Sequence, residues 1–310
     1  MTTYTTLAEI EGLVTAVGLD LDAVSLIISE ALDEDLGGRG VLPRGTGARL
    51  DVTSYATIPV ADTAHGEFVV RRPGTVAGLP VAALVVASLC APAGDFTLDL
   101  HATDGDHVAR GDVLISITGN ARALLTAERV ALNLITMMSG VATATSAWVD
   151  ALAGTNTKVR DSRKTLPGLR MLQKYAVRVA GGTNHRMSLA DAALIKDNHV
   201  IAAGGVVAAY RAVRQAFPDV PIEVEVTSAE QARQVVAAGA TEILLDNMSV
   251  AAMAAIVTEL QHLASFEASG GLSLLNAAEV AETGVNFVAV GAITHSAPAL
   301  DIALDLASGI

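Results

Sequence analysis

Cysteine is nearly absent from this 310-residue chain, in which Cys90 is the only one. A single thiol excludes an intrachain disulfide framework and any metal site built from several cysteines. Aromatic residues make up only 3% of the chain, whereas hydrophobic residues make up 51%. The apolar content is therefore mainly Ala, Val and Leu, which favours alternating strands and helices over an aromatic-rich sandwich.

Positive charge is also scarce, and it is unevenly placed. The chain has 20 Lys and Arg residues against 33 Asp and Glu, which gives a net charge of −13. Such an acidic protein repels a phosphate backbone, so we expect no nucleic-acid partner. All four lysines lie between Lys158 and Lys196, where nine cations accompany only two acids, Asp161 and Asp191. This segment carries a net +7, and we expect it to bind a small polyanion.

Long apolar runs are missing as well. The beginning of the chain has no basic region followed by an apolar stretch, which predicts a cytoplasmic protein without a secretory signal. The longest apolar run, residues 79–90, is shorter than the roughly 20 residues that a bilayer-spanning helix needs. We therefore expect no membrane association.

The spacing of apolar residues predicts two main domains. Short β-rich segments between residues 52 and 119 alternate with turns and one helix, which indicates an α+β domain. A long helical stretch follows over residues 121–152, with a break predicted near Ser139-Gly140. We assign residues 1–152 to the N-terminal domain, 153–296 to an α/β catalytic domain, and 297–310 to a C-terminal helix that packs back on the N-terminal domain. Residues 39–50, rich in Gly, Arg and Pro, predict a surface loop.

The catalytic domain shows a repeating strand-helix pattern. Apolar strand-like runs recur at residues 158–160, 193–195, 222–226, 243–245, 265–268 and 286–290, separated by helical segments. This repetition predicts parallel βαβ units in a TIM-like barrel, complete or incomplete. The overall fold class is therefore α/β, with an α+β domain ahead of the barrel.

Charged residues and glycines follow these predicted strands, where the chemistry of a barrel is found. Arg160, Lys196, Glu225 and Asp246 end the first four runs. Glu267 with Ser269-Gly270-Gly271 ends the fifth, and Gly291 ends the sixth. A charged residue after one strand commonly marks only the end of that strand. Because the pattern recurs at six strands, we interpret it as a shared site.

Three cation-bearing loops surround this predicted site. Arginine grips a carboxylate through a planar fork, whereas lysine is a compact charge that suits a phosphate. The loops carry Arg163 with Lys164, His185 with Arg186, and Lys196. They predict a ligand with two carboxylates and a phosphorylated co-substrate. Pairing with surface acids is the alternative, but it would not concentrate every lysine here.

Acids and glycines complete the pattern. Glu225 and Asp246 lie on neighbouring predicted strands, and carboxylates at a phosphate site usually hold Mg²⁺ or accept hydrogen bonds from sugar hydroxyls. Backbone N–H groups at strand-to-helix turns commonly bind a 5′-phosphate in barrels. Ser269-Gly270-Gly271 and Gly291 have the right positions for that role.

Ordered motifs run through nearly the whole chain. They are Ala127-Glu128-Arg129, Ser162-Arg163-Lys164-Thr165, Lys174-Tyr175-Ala176-Val177, Asn184-His185-Arg186, Leu194-Ile195-Lys196-Asp197-Asn198-His199, Glu223-Val224-Glu225-Val226, Leu245-Asp246-Asn247-Met248 and Glu267-Ala268-Ser269-Gly270-Gly271. In this order they resemble the quinolinate phosphoribosyltransferases, the carboxylating nicotinate-nucleotide pyrophosphorylases.

The resemblance implies a reaction and a set of roles. Members of this family join quinolinate to phosphoribosyl pyrophosphate (PRPP), release pyrophosphate and CO₂, and form nicotinate mononucleotide for de novo NAD synthesis. It also implies a homodimer in which Arg129 comes from the partner subunit. The implied roles are quinolinate binding for Arg163, His185, Arg186 and Lys196, pyrophosphate or ribose-phosphate contact for Lys164, ribose and Mg²⁺ binding for Glu225 and Asp246, and 5′-phosphate binding for Ser269, Gly270, Gly271 and Gly291.

Two other functions stay open at this stage. A phosphoribosyltransferase acting on nicotinate would bind only one carboxylate and would need fewer cations than these loops supply. A non-catalytic relative could bind a phosphorylated metabolite, but the presence of both Glu225 and Asp246 disfavours it.

Overall fold

The structure, a computed structural model, describes residues 2–38 and 49–307. Most of the loop predicted at residues 39–50 lies outside the described residues. The chain divides into two compact units. Residues 1–143, 167–180 and 297–310 form the first unit, and residues 144–166 and 181–296 form the second.

The first unit is built on a five-stranded antiparallel sheet. Its elements are β1 (Thr2–Tyr4), α1 (Leu7–Ala16), α2 (Leu21–Asp35), α3 (Val52–Thr57), β2 (Thr63–Val70), β3 (Gly74–Thr75), α4 (Leu79–Cys90), β4 (Thr97–Leu100), β5 (His107–Val108), β6 (Val113–Asn120), the first two-thirds of α5 (Ala121–Ala151), α6 (Arg170–Val179) and β13 (Ile302–Leu306). The sheet order is β1-β4-β6-β2-β13, and β3 pairs with β5 in a separate ribbon. The predicted α+β character of this part of the chain is confirmed.

The end of the chain corrects one prediction. Residues 302–306 form strand β13 instead of a helix, and they pair antiparallel with β2, with Ile302 opposite Val70 and Leu306 opposite Gly66. The sequence carried the signal, because Ile302, Leu304 and Leu306 alternate with smaller or charged residues at the period of a strand. The segment therefore belongs to the first unit through a sheet ladder.

Helix α5 is continuous, so the break predicted at Ser139-Gly140 is wrong. The Ser139 hydroxyl accepts a hydrogen bond from the Ala77 N–H and donates one to the Ala77 carbonyl. At Gly140 a Cβ would collide with the carbonyl oxygen of Pro298. The serine and glycine therefore serve close packing of α5 and do not interrupt it. By length and composition α5 could cross a membrane, but 67% of its most apolar stretch is buried inside the protein.

The second unit contains the predicted parallel sheet. Its elements are β7 (Lys158–Arg160), β8 (Ala193–Ile195), α7 (Asp197–Ala203), α8 (Val206–Ala216), β9 (Ile222–Val226), α9 (Ala229–Ala237), β10 (Glu242–Asp246), α10 (Val250–Leu260), β11 (Ser265–Ser269), α11 (Ala277–Ala281), β12 (Phe287–Ala289) and α12 (Ala292–His295). The six strands are all parallel, in the order β7-β12-β11-β10-β9-β8. The sheet is not closed into a full barrel, so the incomplete form of the predicted fold is the one observed.

One face of this sheet carries charge. Side chains alternate between faces with a period of two, so Glu223 and Glu225 of β9 point the same way. Glu225 lies opposite Leu244 of β10, and Leu244 lies opposite Glu267 of β11. Barrel interiors are ordinarily filled by branched aliphatic side chains. Carboxylates at these positions therefore indicate a functional site on this face.

Candidate active site

A buried hydrogen-bonded pair, Arg160 and Glu267, lies on the charged face of the sheet. Arg160, at the end of β7, donates a hydrogen bond from Nη1 to Glu267 Oε2 over 2.8 Å. The Arg160 guanidinium also lies over the Phe287 ring, 3.5 Å from its centroid. Glu267 is only 1% exposed, and its other oxygen, Oε1, has no hydrogen-bond partner among the described residues. One oxygen of this carboxyl group thus accepts a hydrogen bond, whereas the other has only the His185 Nε2 atom 4.0 Å away.

The surroundings of Glu267 favour its protonated form. Burial raises the pKa of this carboxyl from 4.5 to about 8, and repulsion by the Glu223 carboxylate adds to the effect. The attraction of Arg160 acts in the opposite direction and is outweighed. Burial therefore favours the protonated form of Glu267 near neutral pH.

His185 is held by protein groups at both ring nitrogens. Nε2 lies 2.6 Å from Glu223 Oε2, and the Arg186 backbone N–H donates to Nδ1 over 2.6 Å. Glu223 is 5% exposed. Because Nδ1 accepts a hydrogen bond, we assign the ring proton to Nε2, which donates to Glu223.

Two arginines from the predicted carboxylate-binding set interact with each other. Burial lowers the pKa of Arg186, and the positive charge of Arg163 lowers it further. Arg186 Nη1 donates to the Ala192 carbonyl over 2.7 Å. The buried Nε of Arg163 has no hydrogen-bond partner among the described residues. Two neighbouring guanidinium groups with an unused donor form a site that an anion would stabilise.

Lys196 and Glu225 form an ion pair at the carboxyl ends of β8 and β9. Lys196 Nζ lies 2.8 Å from Glu225 Oε2, and the lysine side chain is 49% exposed while the glutamate is 9% exposed. The cation therefore reaches solvent above a nearly buried carboxylate. A ligand carboxylate can approach Lys196 from the solvent side.

Lys164 lies beside the glycine turn after β12. A Cβ placed on Gly291 would lie 3.0 Å from Lys164 Cδ. The Thr294 hydroxyl donates to the Lys164 carbonyl over 2.8 Å, which fixes the lysine backbone to α12. The structure thus brings Lys164 and Gly291 together.

The turn after β11 depends on glycine. Asn247 adopts a left-handed backbone conformation with φ 52°, and its N–H donates to the Ser269 carbonyl over 2.8 Å. Its amide Nδ2 donates to Asp246 Oδ2 over 2.7 Å. Gly270 has φ 87°, and a Cβ there would collide with the Asn247 amide oxygen. Gly271 also has a positive φ, 65°, so the turn exposes backbone where the sequence predicted a phosphate site.

Arg129 is the one predicted site residue that belongs to the first unit. It is exposed on α5, where Nη2 donates to Asn133 Oδ1 over 3.2 Å. Glu267 was expected at a strand end of the site, but neither it nor Glu223 was assigned a role from the sequence. The signal for both was the strand period, because Glu223 shares a face with Glu225, and Glu267 shares one with Ser269.

Among the described residues, one group could hold a metal ion by distance, and it is not the predicted pair. One ligand atom each from His185, Glu223 and Glu267 lie within 4.8 Å of one another. However, His185 Nε2 bears the ring proton, so it has no lone pair for a metal in this arrangement. Glu225 and Asp246 offer oxygen ligands alone, which is the donor set that Mg²⁺ prefers.

The chain matches one family over most of its length. Residues 51–139 match "Quinolinate phosphoribosyl transferase, N-terminal domain", and residues 141–305 match the C-terminal domain of the same family. A nicotinate-nucleotide pyrophosphorylase [carboxylating] from Mycobacterium leprae is 49% identical over 93% of this chain and 98% of its own length. A probable enzyme of the same name from Bacillus subtilis is 40% identical over 84% of this chain and 89% of its own.

Solved structures agree with these matches. The nicotinate-nucleotide pyrophosphorylase from Francisella tularensis has a TM-score of 0.84 at 34% identity, covering 92% of this chain and 96% of that one. The corresponding protein from Ehrlichia chaffeensis has a TM-score of 0.82 at 33% identity, covering 91% of this chain and 98% of that one. Human nicotinic acid phosphoribosyltransferase shares the fold alone, at 13% identity and a TM-score of 0.60 over 83% of this chain and 72% of that one.

The protonated state of Glu267 predicts a change in the pH dependence of stability. A raised pKa in the folded state stabilises the protein below pH 4.5, and this contribution is lost as the pH rises to about 8. The Gln amide cannot ionise, so Glu267→Gln should not lose stability in this way. In the wild type the loss in the free energy of unfolding is at most about 1.4 kcal/mol for each pH unit. Urea unfolding at pH 5.5 and pH 8.0 measures it. The control is Glu259→Gln, which removes an exposed carboxylate whose pKa is lowered by Arg233. The same pH dependence in wild type and Glu267→Gln would contradict the assignment.

Proposed function

The chain belongs to the quinolinate phosphoribosyltransferase family, and we propose that the charged face of its parallel sheet, with the loops at the carboxyl ends, is the active site. The enzyme transfers the phosphoribosyl group of PRPP to quinolinate with decarboxylation, in de novo NAD biosynthesis. The observation that carries the site assignment is that the charges of Arg163 and Arg186 act on each other, while the buried Nε of Arg163 has no hydrogen-bond partner among the described residues.

The dicarboxylate is the substrate that these cations suit. Quinolinate carries carboxylates on adjacent ring carbons, and two arginine forks beside an exposed lysine can grip both. Arg163, Arg186 and Lys196 would then hold the pyridine ring in one orientation. This fixes the direction in which the ring nitrogen approaches the ribose, which removes much of the entropic cost of bringing two substrates together.

The first chemical step is displacement at the ribose C1. The quinolinate nitrogen supplies an electron pair to C1 while the C1–oxygen bond to pyrophosphate breaks, through a state with oxocarbenium character. Negative charge develops on the leaving pyrophosphate, which the Lys164 ammonium group would stabilise. Backbone N–H groups of the turn at Gly270 and Gly271 would bind the 5′-phosphate, which anchors the ribose.

Decarboxylation then needs no protein nucleophile. The bond between C2 and its carboxylate breaks, CO₂ departs, and the electron pair remains on C2. The adjacent pyridinium nitrogen is positively charged and stabilises that pair until a proton replaces the carboxylate. The role of the protein in this step is to keep the ring in place and the other carboxylate paired.

Glu225 and Asp246 suit Mg²⁺, which is part of the proposal. They are carboxylates on adjacent strands, and Asp246 keeps one oxygen, Oδ1, outside its hydrogen bond to Asn247. Bound Mg²⁺ would neutralise part of the pyrophosphate charge. The same carboxylates would accept hydrogen bonds from ribose hydroxyls, and Lys196 limits the negative charge at Glu225.

We also propose a homodimer in which Arg129 reaches the active site of the partner. Its guanidinium is exposed on α5 and is held loosely by Asn133, so it is available to another molecule. A third arginine would complete the binding of two carboxylates.

The activity is tested by mixing the protein with quinolinate, PRPP and Mg²⁺. We expect one CO₂ for each quinolinate consumed, measured with substrate labelled in the C2 carboxylate. Nicotinate in place of quinolinate gives no CO₂ and should give no nucleotide. Nucleotide formation from nicotinate alone would favour the other phosphoribosyltransferase function, and binding without turnover would favour a non-catalytic relative.

Removal of Lys164 should separate catalysis from quinolinate binding. In Lys164→Ala we expect kcat to fall about 100-fold while quinolinate affinity changes less than about threefold, because the lysine stabilises the leaving group. Steady-state kinetics and equilibrium binding of labelled quinolinate measure the two effects. Lys158→Ala, which removes an exposed lysine at the opposite end of β7, is the matched control. Equal losses in turnover and affinity would contradict the role of Lys164.

Complementation between two inactive variants tests the origin of Arg129. If Arg129 serves the partner, a mixed dimer of Arg129→Ala and Lys164→Ala contains one intact site. Random exchange of subunits should then restore about a quarter of the wild-type rate. If Arg129 serves its own subunit, the mixture stays as inactive as its components.

A further inference from the structure

The segment of residues 184–186 runs beside β7 and is fastened there by its backbone. Thr183 forms a parallel bridge with Arg160, and its N–H donates to the Val159 carbonyl over 2.9 Å. The Asp161 N–H donates back to the Thr183 carbonyl over 3.1 Å. The segment thus leaves the sheet edge directly before the histidine and arginine that face the proposed substrate site.

A fully buried carboxylate holds the start of this segment. Asp161, which is 0% exposed, accepts hydrogen bonds from Asn184 Nδ2 over 2.6 Å and from the His185 N–H over 2.8 Å. Bonds to an ionised group are about twice as strong as those between neutral groups. Asp161 therefore fixes both the side chain of Asn184 and the backbone of His185.

A second buried carboxylate holds the segment from another strand. Glu223 of β9 accepts the His185 Nε2 proton over 2.6 Å, while the opposite side of the ring receives the Arg186 N–H. The imidazole is neutral in this arrangement, and neither nitrogen is left to bind a ligand. His185 therefore links Glu223 to the backbone of Arg186.

We propose that Asp161 and Glu223 are positioning residues that clamp the segment of residues 184–186 and hold the Arg186 guanidinium beside Arg163 before quinolinate binds. This inference rests on the proposed function, and it gives His185 a different role from the carboxylate ligand that the family resemblance implied. Here the imidazole is a structural link, and the carboxylates of quinolinate are left to Arg163, Arg186 and Lys196.

The clamp acts against the repulsion between Arg163 and Arg186. Repulsion by Arg163 opposes the position of Arg186, whereas the negative charges of Asp191 and Glu223 favour it. Because Arg186 is held in place before quinolinate binds, the binding free energy is not reduced by the ordering of this segment. The effect should fall mainly on quinolinate, because the hydrogen bonds of the clamp fix the segment that carries Arg186, whereas Lys164 is proposed to act on the pyrophosphate.

Variants of Glu223 test the proposal through the two Michaelis constants. In Glu223→Ala we expect the KM for quinolinate to rise about tenfold while the KM for PRPP stays within about twofold, because only the quinolinate side loses its support. In Glu223→Gln the amide oxygen can still accept the Nε2 proton, so the KM for quinolinate should rise less than about threefold. Glu242→Gln is the matched control, since Glu242 lies opposite Glu223 on β10 and is exposed.

A spectroscopic measurement separates the clamp from a general structural role. The ¹⁵N shifts of His185 should show the Nε2–H neutral form in wild type and in Glu223→Gln at neutral pH, and a loss of that preference in Glu223→Ala. If Glu223→Ala does not fold, Asp161→Asn serves as the test. The new amide NH₂ group at position 161 would face the Nδ2 donor of Asn184 and could not accept its hydrogen bond. That variant should raise the KM for quinolinate and spare the KM for PRPP.

Three results would overturn the clamp: an equal rise of both Michaelis constants, equal damage from Gln and Ala at position 223, or a wild-type His185 protonated at Nδ1. Failure of the proposed function is a different result. It would appear as a wild-type protein that releases no CO₂ from quinolinate, while the histidine spectra of the same sample still test the clamp.

Discussion

Burial of acidic side chains beside hydrogen-bond donors is the constraint on which the second unit depends. Arg163 and Arg186 lie close enough to repel each other, and Arg160 lies within the sheet. Asp161, Glu223 and Glu267 are buried acids of the same unit. Asp161 accepts two N–H donors and Glu223 accepts an imidazole proton, whereas burial raises the pKa of Glu267.

The strands of the parallel sheet could be predicted from the sequence because their apolar runs are separated by regular helical segments. The cationic loops could be predicted because all the lysines lie in one segment. The sequence was misleading at the end of the chain, where the alternation of Ile302, Leu304 and Leu306 is short and lies beside acidic residues. It was also misleading at Ser139-Gly140, where a serine and a glycine that often weaken a helix are used for close packing instead.

The partners of the buried acids could not be derived from the sequence in the same way. A strand period places Glu223 and Glu267 on the charged face, but it does not say which cation each one meets. The pairing of Arg160 with Glu267 spans two strands that are 107 residues apart in the chain, and that of His185 with Glu223 spans 38. Charge states follow from such three-dimensional neighbours, so the neutral histidine and the protonated glutamate appear only once the register of the sheet is known.

Strand β13 has a consequence for the order in which the chain folds. It supplies the edge of the first sheet from residues 302–306, although every other strand of that sheet precedes residue 121. During synthesis on the ribosome, the parallel sheet of the second unit has emerged in full before this edge exists. One edge of β2 therefore stays unpaired until β13 has been synthesised. An unpaired edge of this kind can pair with a strand of another chain. The charged pair of Arg71 with Asp305 then helps to set the register when the last strand arrives.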